Sequence, residues 1–226
     1  MATDDDEVLR VELQRVLVEE PPRLDLVALA IARLDDEPFD DAEVLATLDG
    51  WADSVRTASA GMSAEGAVDA LVTMLGGKLG LRGDQDQYDD PENSFLPRVL
   101  ERRMGLPILL SVVYIEVGRR AGIPLVGLAL PGHFVVAYRH PPGEGRIVLD
   151  PFDGGRILEE ADVEEIGIRS QAPITRDMFA PATPYVIATR MLRNLLGSYQ
   201  RRSLWQKADT VAQLMQAIDP DDDALN

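Results

Sequence analysis

The sequence predicts an α+β protein with a helical N-terminal region, a buried helix packed on a small antiparallel sheet, and a C-terminal helical pair. Three observations lead to this prediction. Apolar residues recur every three or four positions over the first 80 residues. A mostly apolar stretch follows at 107–122. From 123 to 152 the apolar period changes to two, which is the period of a strand.

The N-terminal region, 1–80, is predicted to hold helices at 4–20, 24–34, 41–57 and 64–79. Pro21 and Pro22 end the first helix, because proline cannot donate the hydrogen bond that a further turn needs. Ser63 precedes the fourth helix and is a good N-cap, since its hydroxyl can accept from a free backbone N–H.

The middle region, 81–180, begins with a polar stretch at 80–94 that is rich in Gly, Asp and Gln and predicts a loop. We expect Asn93 and Ser94 to cap a helix over 94–104. Pro107 suits the first turn of the next helix, which is apolar on most sides in its first half and should therefore be central and buried. Gly122 is expected to end that helix.

Three strands are predicted after the buried helix, at 123–130, 133–140 and 146–152. A short Pro/Gly-rich loop at 141–145 joins the second and third as a hairpin. The final region, 181–226, is predicted to hold two helices, at 185–202 and 204–218. Their pattern is similar to one tetratricopeptide-type helical pair.

Composition excludes several functions. The chain has 226 residues and a net charge of −17, so it lacks the basic excess that a duplex-binding protein needs. It contains no cysteine, which rules out disulfides, thiolate catalysis and cysteine-bound zinc within this sequence. No signal sequence or apolar run of about 20 residues is present, so we expect a cytoplasmic protein that does not enter membranes.

Both histidines lie in the stretch LALPGHFVVAYRH, residues 128–140. His133 opens one predicted strand and Asp150 closes the next, and antiparallel pairing should bring the two together. A carboxylate on one imidazole nitrogen sets the tautomer and leaves the other nitrogen as an acid or base. The same contact can also be purely structural. Metal binding with His140 is disfavoured, because seven residues along a strand it leans to the opposite face.

Five motifs, in order, carry a resemblance to a known family: Tyr88 to Asn93-Ser94, Val99-Leu100 with Arg102-Arg103, Gly105-Leu106-Pro107, Pro131-Gly132-His133-Phe134, and Asp150-Pro151-Phe152 with Gly154-Gly155. Together they resemble transglutaminase-like proteins of the SirB type. The resemblance implies a transglutaminase/papain-like core joined to tetratricopeptide-like helices. It is strongest over residues 88–155.

The resemblance also implies a catalytic Cys, His and Asp, with the Cys at the N-terminus of the buried helix. His133 and Asp150 match the His and Asp, and Pro107 stands at the nucleophile position, where no thiol, hydroxyl or carboxylate is present. Ser111 lies one turn further along the helix, about 6 Å away along its axis. We expect its hydroxyl to bond a carbonyl of the preceding turn rather than to act as a nucleophile.

Asn93, Arg103 and Tyr114 are further candidates for ligand binding, each with a structural alternative. Asn93 can serve as a helix cap. Of the neighbours Arg102 and Arg103, one is expected to pair with the acidic loop at 89–92 and the other to be solvated. Tyr114 is expected at the edge of the core with its hydroxyl in water.

Three functions remain open from the sequence. The leading hypothesis is a non-classical transglutaminase-like protein that binds a protein partner and keeps a vestigial His133–Asp150 pair. The second is an amide or ester hydrolase with His133 as general base. In the third, the pair only stabilises the hairpin. No metal, cofactor, nucleic-acid or membrane binding is predicted.

Overall fold

The computed structural model describes residues 4–139 and 146–218 and confirms the α+β class. Helices at both ends of the described chain enclose a central helix and a small sheet. The α-helices are α1 (Asp4–Leu17), α2 (Leu24–Ala32), α3 (Asp41–Ala58), α4 (Ala64–Val72), α5 (Leu96–Arg102), α6 (Pro107–Ala121), α7 (Glu160–Arg169), α8 (Pro184–Arg201) and α9 (Trp205–Ile218).

The main sheet is an antiparallel meander in the order β3-β4-β5-β6. Its strands are β3 (Leu125–Leu130), β4 (His133–Tyr138), β5 (Val148–Asp150) and β6 (Arg156–Leu158). The sequence analysis missed β6, because three residues are too few to show a period. A separate parallel pair joins β1 (Arg82–Gly83) to β2 (Met104–Gly105). Strand β1 lies in the stretch predicted as a loop, and β2 lies at the end of the stretch predicted as a helix.

Helix α6 is the central element, as its composition predicted. Pro107 occupies its first turn, and residues 107–118 are all buried. Gly122 ends the helix with a φ of +83°, a left-handed conformation in which a side chain would be strained. Each fully buried Val, Leu or Ile contributes roughly 1.5–3 kcal/mol to stability, so this helix is a main source of folding energy.

The predicted capping serine is confirmed, since the Ser63 hydroxyl accepts from the Gly66 N–H at 3.3 Å. Helix α4 is shorter than predicted, and residues Thr73–Lys78 continue it as a π-helical turn. Gly76 in this turn lies against the Gly154 carbonyl, where a Cβ would come within 1.8 Å of the oxygen. The π-helical turn, which is wider than an α-helical one, therefore places a glycine against the loop that follows β5.

The expected cap at Asn93 and Ser94 is wrong. These residues belong to a 3-10 turn, Pro91–Ser94, which Asp90 caps by accepting from the Glu92 N–H. Helix α5 begins later, with Phe95 as its N-cap residue and no side-chain cap. The Asn93 side chain has contacts elsewhere, because it is fully buried.

One continuous apolar cluster joins α1 and α2 to α6, the sheet and the tail helices α8 and α9. A smaller cluster fills the space between the opposite sheet face and α7. The division into regions 1–80, 81–180 and 181–226 remains a prediction. The predicted hairpin loop, His140 and the end of the chain from 219 lie outside the described residues. Across 4–139 and 146–218, no helix combines the length and apolarity of a membrane span.

Candidate active site

His133 and Asp150 contact each other directly. His133 begins β4 after the Pro131-Gly132 turn, and Asp150 ends β5, one residue after Leu149, which pairs with Val136 of β4. The His133 Nε2 lies 2.8 Å from Asp150 Oδ2. The side chains are 18% and 11% exposed, so the pair is largely desolvated but reaches a surface.

The Asp150 carboxylate is oriented by its own chain. Its Oδ1 accepts from the Phe152 N–H at 3.0 Å, and its backbone carbonyl accepts from the Gly155 N–H at 2.8 Å. With Oδ1 engaged by the backbone, Oδ2 is presented to the imidazole. This orientation favours the tautomer in which Nε2 carries the proton and Nδ1 is the basic nitrogen.

Phe152 forms the aromatic wall beside the pair. Its ring meets the His133 ring edge to face, with centroids 6.1 Å apart, and the Tyr88 ring at 5.9 Å. Gly83 in β1 permits this position, because a Cβ there would come within 2.2 Å of the Phe152 ring. The short β1–β2 pair thus holds the ring in place.

A cleft of about 440 Å³ opens on the His133–Asp150 pair. Gln85 and Phe152 form one part of its lining, and helix α7 with the residue that caps its C-terminus contributes Ile166, Arg169 and Ser170. The Ser170 hydroxyl donates to the Pro131 carbonyl at 2.6 Å and so ties α7 to the turn before His133. The cleft is large enough for an amino-acid side chain or a small organic group.

The expected nucleophile position offers no reactive group. Pro107 is buried in the first turn of α6 and is not among the described residues that line the cleft. Ser111 is fully buried, and its hydroxyl donates to the Phe134 carbonyl at 3.4 Å. The expected bond to the preceding turn is therefore wrong: the hydroxyl joins α6 to β4, directly after His133.

Tyr114 is fully buried, so the expected contact of its hydroxyl with water is wrong. The hydroxyl lies against Gly76 and Gly155, and it has no hydrogen-bond partner in the described part of the chain. Burial raises the pKa of the Tyr114 phenol, and the negative charge of Asp150 raises it further. Tyr114 is therefore a neutral phenol that packs against the loop after Asp150.

Asn93 shapes the loop that forms part of the cleft. Its amide donates to the Gln87 carbonyl at 2.7 Å and to Asp84 Oδ2 at 3.3 Å. Arg102 also donates to Asp84, at 3.1 Å, and forms an ion pair with Glu92 at 3.0 Å. These contacts hold the segment that carries Gln85 and Tyr88.

Arg103 lies elsewhere. Its guanidinium is 4.4 Å from the centre of the Trp51 ring, and burial lowers the pKa of the side chain. Arg102 thus makes the expected pair with the acidic loop through Glu92, and Arg103 is partly buried rather than fully solvated. Asn93, Arg103 and Tyr114 do not line the cleft in the described structure.

Sequence reasoning missed the other lining residues. Phe152 belongs to a motif already noted, Asp150-Pro151-Phe152, and could have been found from it. Gln85 and Arg169 come from a loop and from a weakly predicted helix, and no sequence pattern connects either to His133. Within the described residues, no group of three or more His, Cys, Asp or Glu side chains could hold a metal ion.

The fold and this site define a class of protein. Residues 42–193 match the model of the transglutaminase-like superfamily, which is most of the described chain, and the chain belongs to that superfamily.

Similar proteins narrow the relationship. The chain is 41% identical to a UPF0162 protein of Xylella fastidiosa strain Temecula1 over 189 residues, 80% of this chain. It is 34% identical to a UPF0162 protein of Pseudomonas aeruginosa over 185 residues, 79% of this chain. It spans 66% of the length of each relative.

A more distant similarity reaches a eukaryotic protein. The chain is 27% identical to F-box only protein 21 of Homo sapiens over 146 residues, which are 62% of this chain and 23% of that protein. No solved structure gives a significant match.

Proposed function

We propose that the chain is a transglutaminase-like protein of the SirB type that binds a protein partner and does not use a cysteine nucleophile. In this proposal the His133–Asp150 cleft holds a side chain or terminus of the partner. The protein works in the cytoplasm without a metal or cofactor. The five ordered motifs and the superfamily membership support the assignment.

One observation carries the proposal. The His133–Asp150 contact is intact at 2.8 Å, while Pro107 stands at the position where the superfamily resemblance implies a thiol. Proline has no nucleophilic group, and the nearest hydroxyl on the same helix, Ser111, donates to the Phe134 carbonyl. Covalent catalysis needs a nucleophile in contact with its base, and this arrangement supplies none.

The tail helices support the choice of a protein as the partner. Trp205 is 64% exposed at the start of α9, and Tyr185 is 42% exposed at the start of α8. Exposed aromatic side chains are typical of residues that dominate protein interfaces. Trp205 does not belong to either apolar cluster of the described residues.

Assays of wild-type protein with amide, ester and glutamine-donor substrates test the proposal. We expect no turnover above that of Pro107→Ala, which changes the implied nucleophile position without adding a reactive group. Partner capture should be weakened by Trp205→Ala or His133→Ala and retained by Arg15→Ala, which removes an exposed charge that pairs with Glu19. Turnover that disappears in His133→Ala would overturn the proposal.

A second function, hydrolysis with His133 as general base, is favoured by one observation. Asp150 engages Nε2, and Nδ1 makes no hydrogen bond to the described residues, so Nδ1 can accept a proton from a bound water. This function predicts a pH–rate profile with one limb that is absent in His133→Ala. The lack of such a limb on amide and ester substrates would exclude it.

A further inference from the structure

Arg190 lies in α8 beside the turn that leads to His133. Its Nη1 donates to the Leu130 carbonyl at 2.9 Å, and Leu130 is the residue paired with His133 across the β3–β4 ladder. The guanidinium also lies 5.7 Å from the centre of the Phe134 ring. Arg190 is therefore attached to the same end of the sheet as the His133–Asp150 pair.

No carboxylate of the described residues pairs with this guanidinium. Burial lowers the pKa of Arg190, the nearby Tyr88 phenol opposes that effect, and the charge of Arg193 adds to it. Other partly buried arginines have carboxylate partners: Arg98 pairs with Asp35, and Arg120 pairs with Asp25. A desolvated charge without a counter-charge is unfavourable unless a ligand supplies one.

Arg103 is the nearest parallel, because its guanidinium also lacks a carboxylate among the described residues. It lies against Trp51 at 4.4 Å, and the α3 face that it covers is not part of the cleft. Arg190 differs by its neighbours. The positive charge of Arg190 opposes the rise that burial causes in the pKa of Tyr88, the Tyr88 ring packs against Phe152, and Phe152 packs against His133. Arg190 is not among the described residues that line the cleft, but its bond to Leu130 places it at the turn that leads to His133.

We propose that Arg190 binds an oxyanion of the ligand, a carboxylate or a phosphate, beside the His133–Asp150 cleft. This inference rests on the proposed binding function and names the chemistry of what is bound. The Leu130 carbonyl takes one of the five N–H donors of the guanidinium, and the others suit the two oxygens of a planar or tetrahedral anion. A net charge of −17 repels anions in general, so the attraction must be local.

Titration of the ¹⁵N-arginine-labelled chain with sodium acetate, and separately with inorganic phosphate, tests the site. Sodium chloride keeps the ionic strength constant. We expect a saturable shift of the Arg190 Nε–H signal, assigned by its loss in Arg190→Gln, with one of the two anions. The anion that binds identifies the source as carboxylate or phosphate.

Thermal melting extends the test to variants, because a ligand that binds only the folded state raises the melting temperature. The rise seen with wild-type protein should fall at least threefold in Arg190→Gln and should be reduced in Arg190→Lys, whose ammonium cannot form paired bonds. Arg33→Gln is the matched control, since Arg33 also covers a ring, Phe39 at 4.7 Å, but pairs with Asp41. It should keep the wild-type rise.

Equal rises in wild-type and Arg190→Gln protein, or an Arg190 signal that neither anion moves, would overturn the inference. Arg190→Lys retains the charge, so it keeps the test decisive if the glutamine variant does not fold. The proposed function would fail on a different measurement, namely turnover that depends on His133. That measurement does not involve anion binding, so the two failures are distinguishable.

Discussion

Two groups of ionisable side chains lie beside helix α6, and the fold surrounds them in opposite ways. At the C-terminal end, Asp25 and Glu116 are 0% and 1% exposed and are bonded by arginines. Beside the first half of α6, where Ser111 bonds β4 and Tyr114 lies against the loop after Asp150, His133 and Asp150 share one contact and open into a cleft. The first group is closed and the second is accessible.

The closed group has a partner for each acidic oxygen. Arg23 donates to both oxygens of Asp25 at 2.9 and 2.8 Å, and Arg120 bonds Asp25 and Glu116 together. Glu116 also accepts from the Leu24 N–H at 2.9 Å, which fixes the start of α2. Every acidic oxygen of this network therefore has a bonding partner within the fold, whereas the His133 cleft keeps part of its polar surface available.

Removing an arginine from the closed network should have the largest effect on stability. Arg120→Ala leaves Asp25 and Glu116 buried with fewer partners, and we expect a loss of about 3–5 kcal/mol in the free energy of unfolding. Urea denaturation measures it. Arg15→Ala removes an exposed pair with Glu19 and should change stability by less than about 1 kcal/mol. Similar losses in both variants would contradict the distinction between buried and surface pairs.

Disturbing the support of the cleft should have the next largest effect. Gly76→Ala places a methyl group within 1.8 Å of the Gly154 carbonyl oxygen, next to the loop that orients Asp150. We expect a loss of roughly 3 kcal/mol from overpacking. Gly77→Ala is the control in the same π-helical turn, since nothing lies within 4 Å of its Cβ. Comparable melting temperatures for the two variants would show that the close approach is unimportant.

Neutralising the open pair should have a smaller effect on stability and a clear effect on the ring. Asp150→Asn removes a charge-assisted hydrogen bond, for which we expect a loss of roughly 1.5 kcal/mol. The ¹⁵N spectrum of the His133 imidazole should show a changed tautomer population, because the carboxylate no longer selects Nε2–H. Asp153→Asn, at an exposed carboxylate, should leave the ring unchanged. An unaltered imidazole spectrum in Asp150→Asn would refute the orienting role.

The acid dependence of stability gives the smallest expected effect. Burial tends to raise the pKa of Asp25, but hydrogen bonds from Arg23 and Arg120 outweigh it and hold the pKa below its ordinary value of 3.8. Stability from this group is therefore present above the unfolded pKa and is lost as pH falls through the lower folded pKa. Arg23→Ala should move the acid limb of urea-denaturation midpoints to higher pH. A limb at the same pH as wild-type would contradict this assignment.

The sequence was sufficient to predict the elements that depend on local chemistry. The apolar stretch at 107–118 predicted a buried helix, and Ser63 and Gly122 marked helix ends, because capping and periodicity involve residues within a turn or two. The alternation from 123 to 152 predicted β3, β4 and β5 and hence the meeting of His133 with Asp150. The lack of cysteine needed no structure at all.

Only the tertiary structure decided which distant residues surround that pair. The approach of Gly76 to Gly154 and the position of Arg190 beside Leu130 each join segments at least 50 residues apart. No periodicity connects such segments, because their contact depends on how every intervening element packs. The amino-acid order by itself determined the helices, the strands and the chemistry available. The packing decided that Asp25 and Glu116 are buried with their partners and that the His133–Asp150 pair faces a cleft.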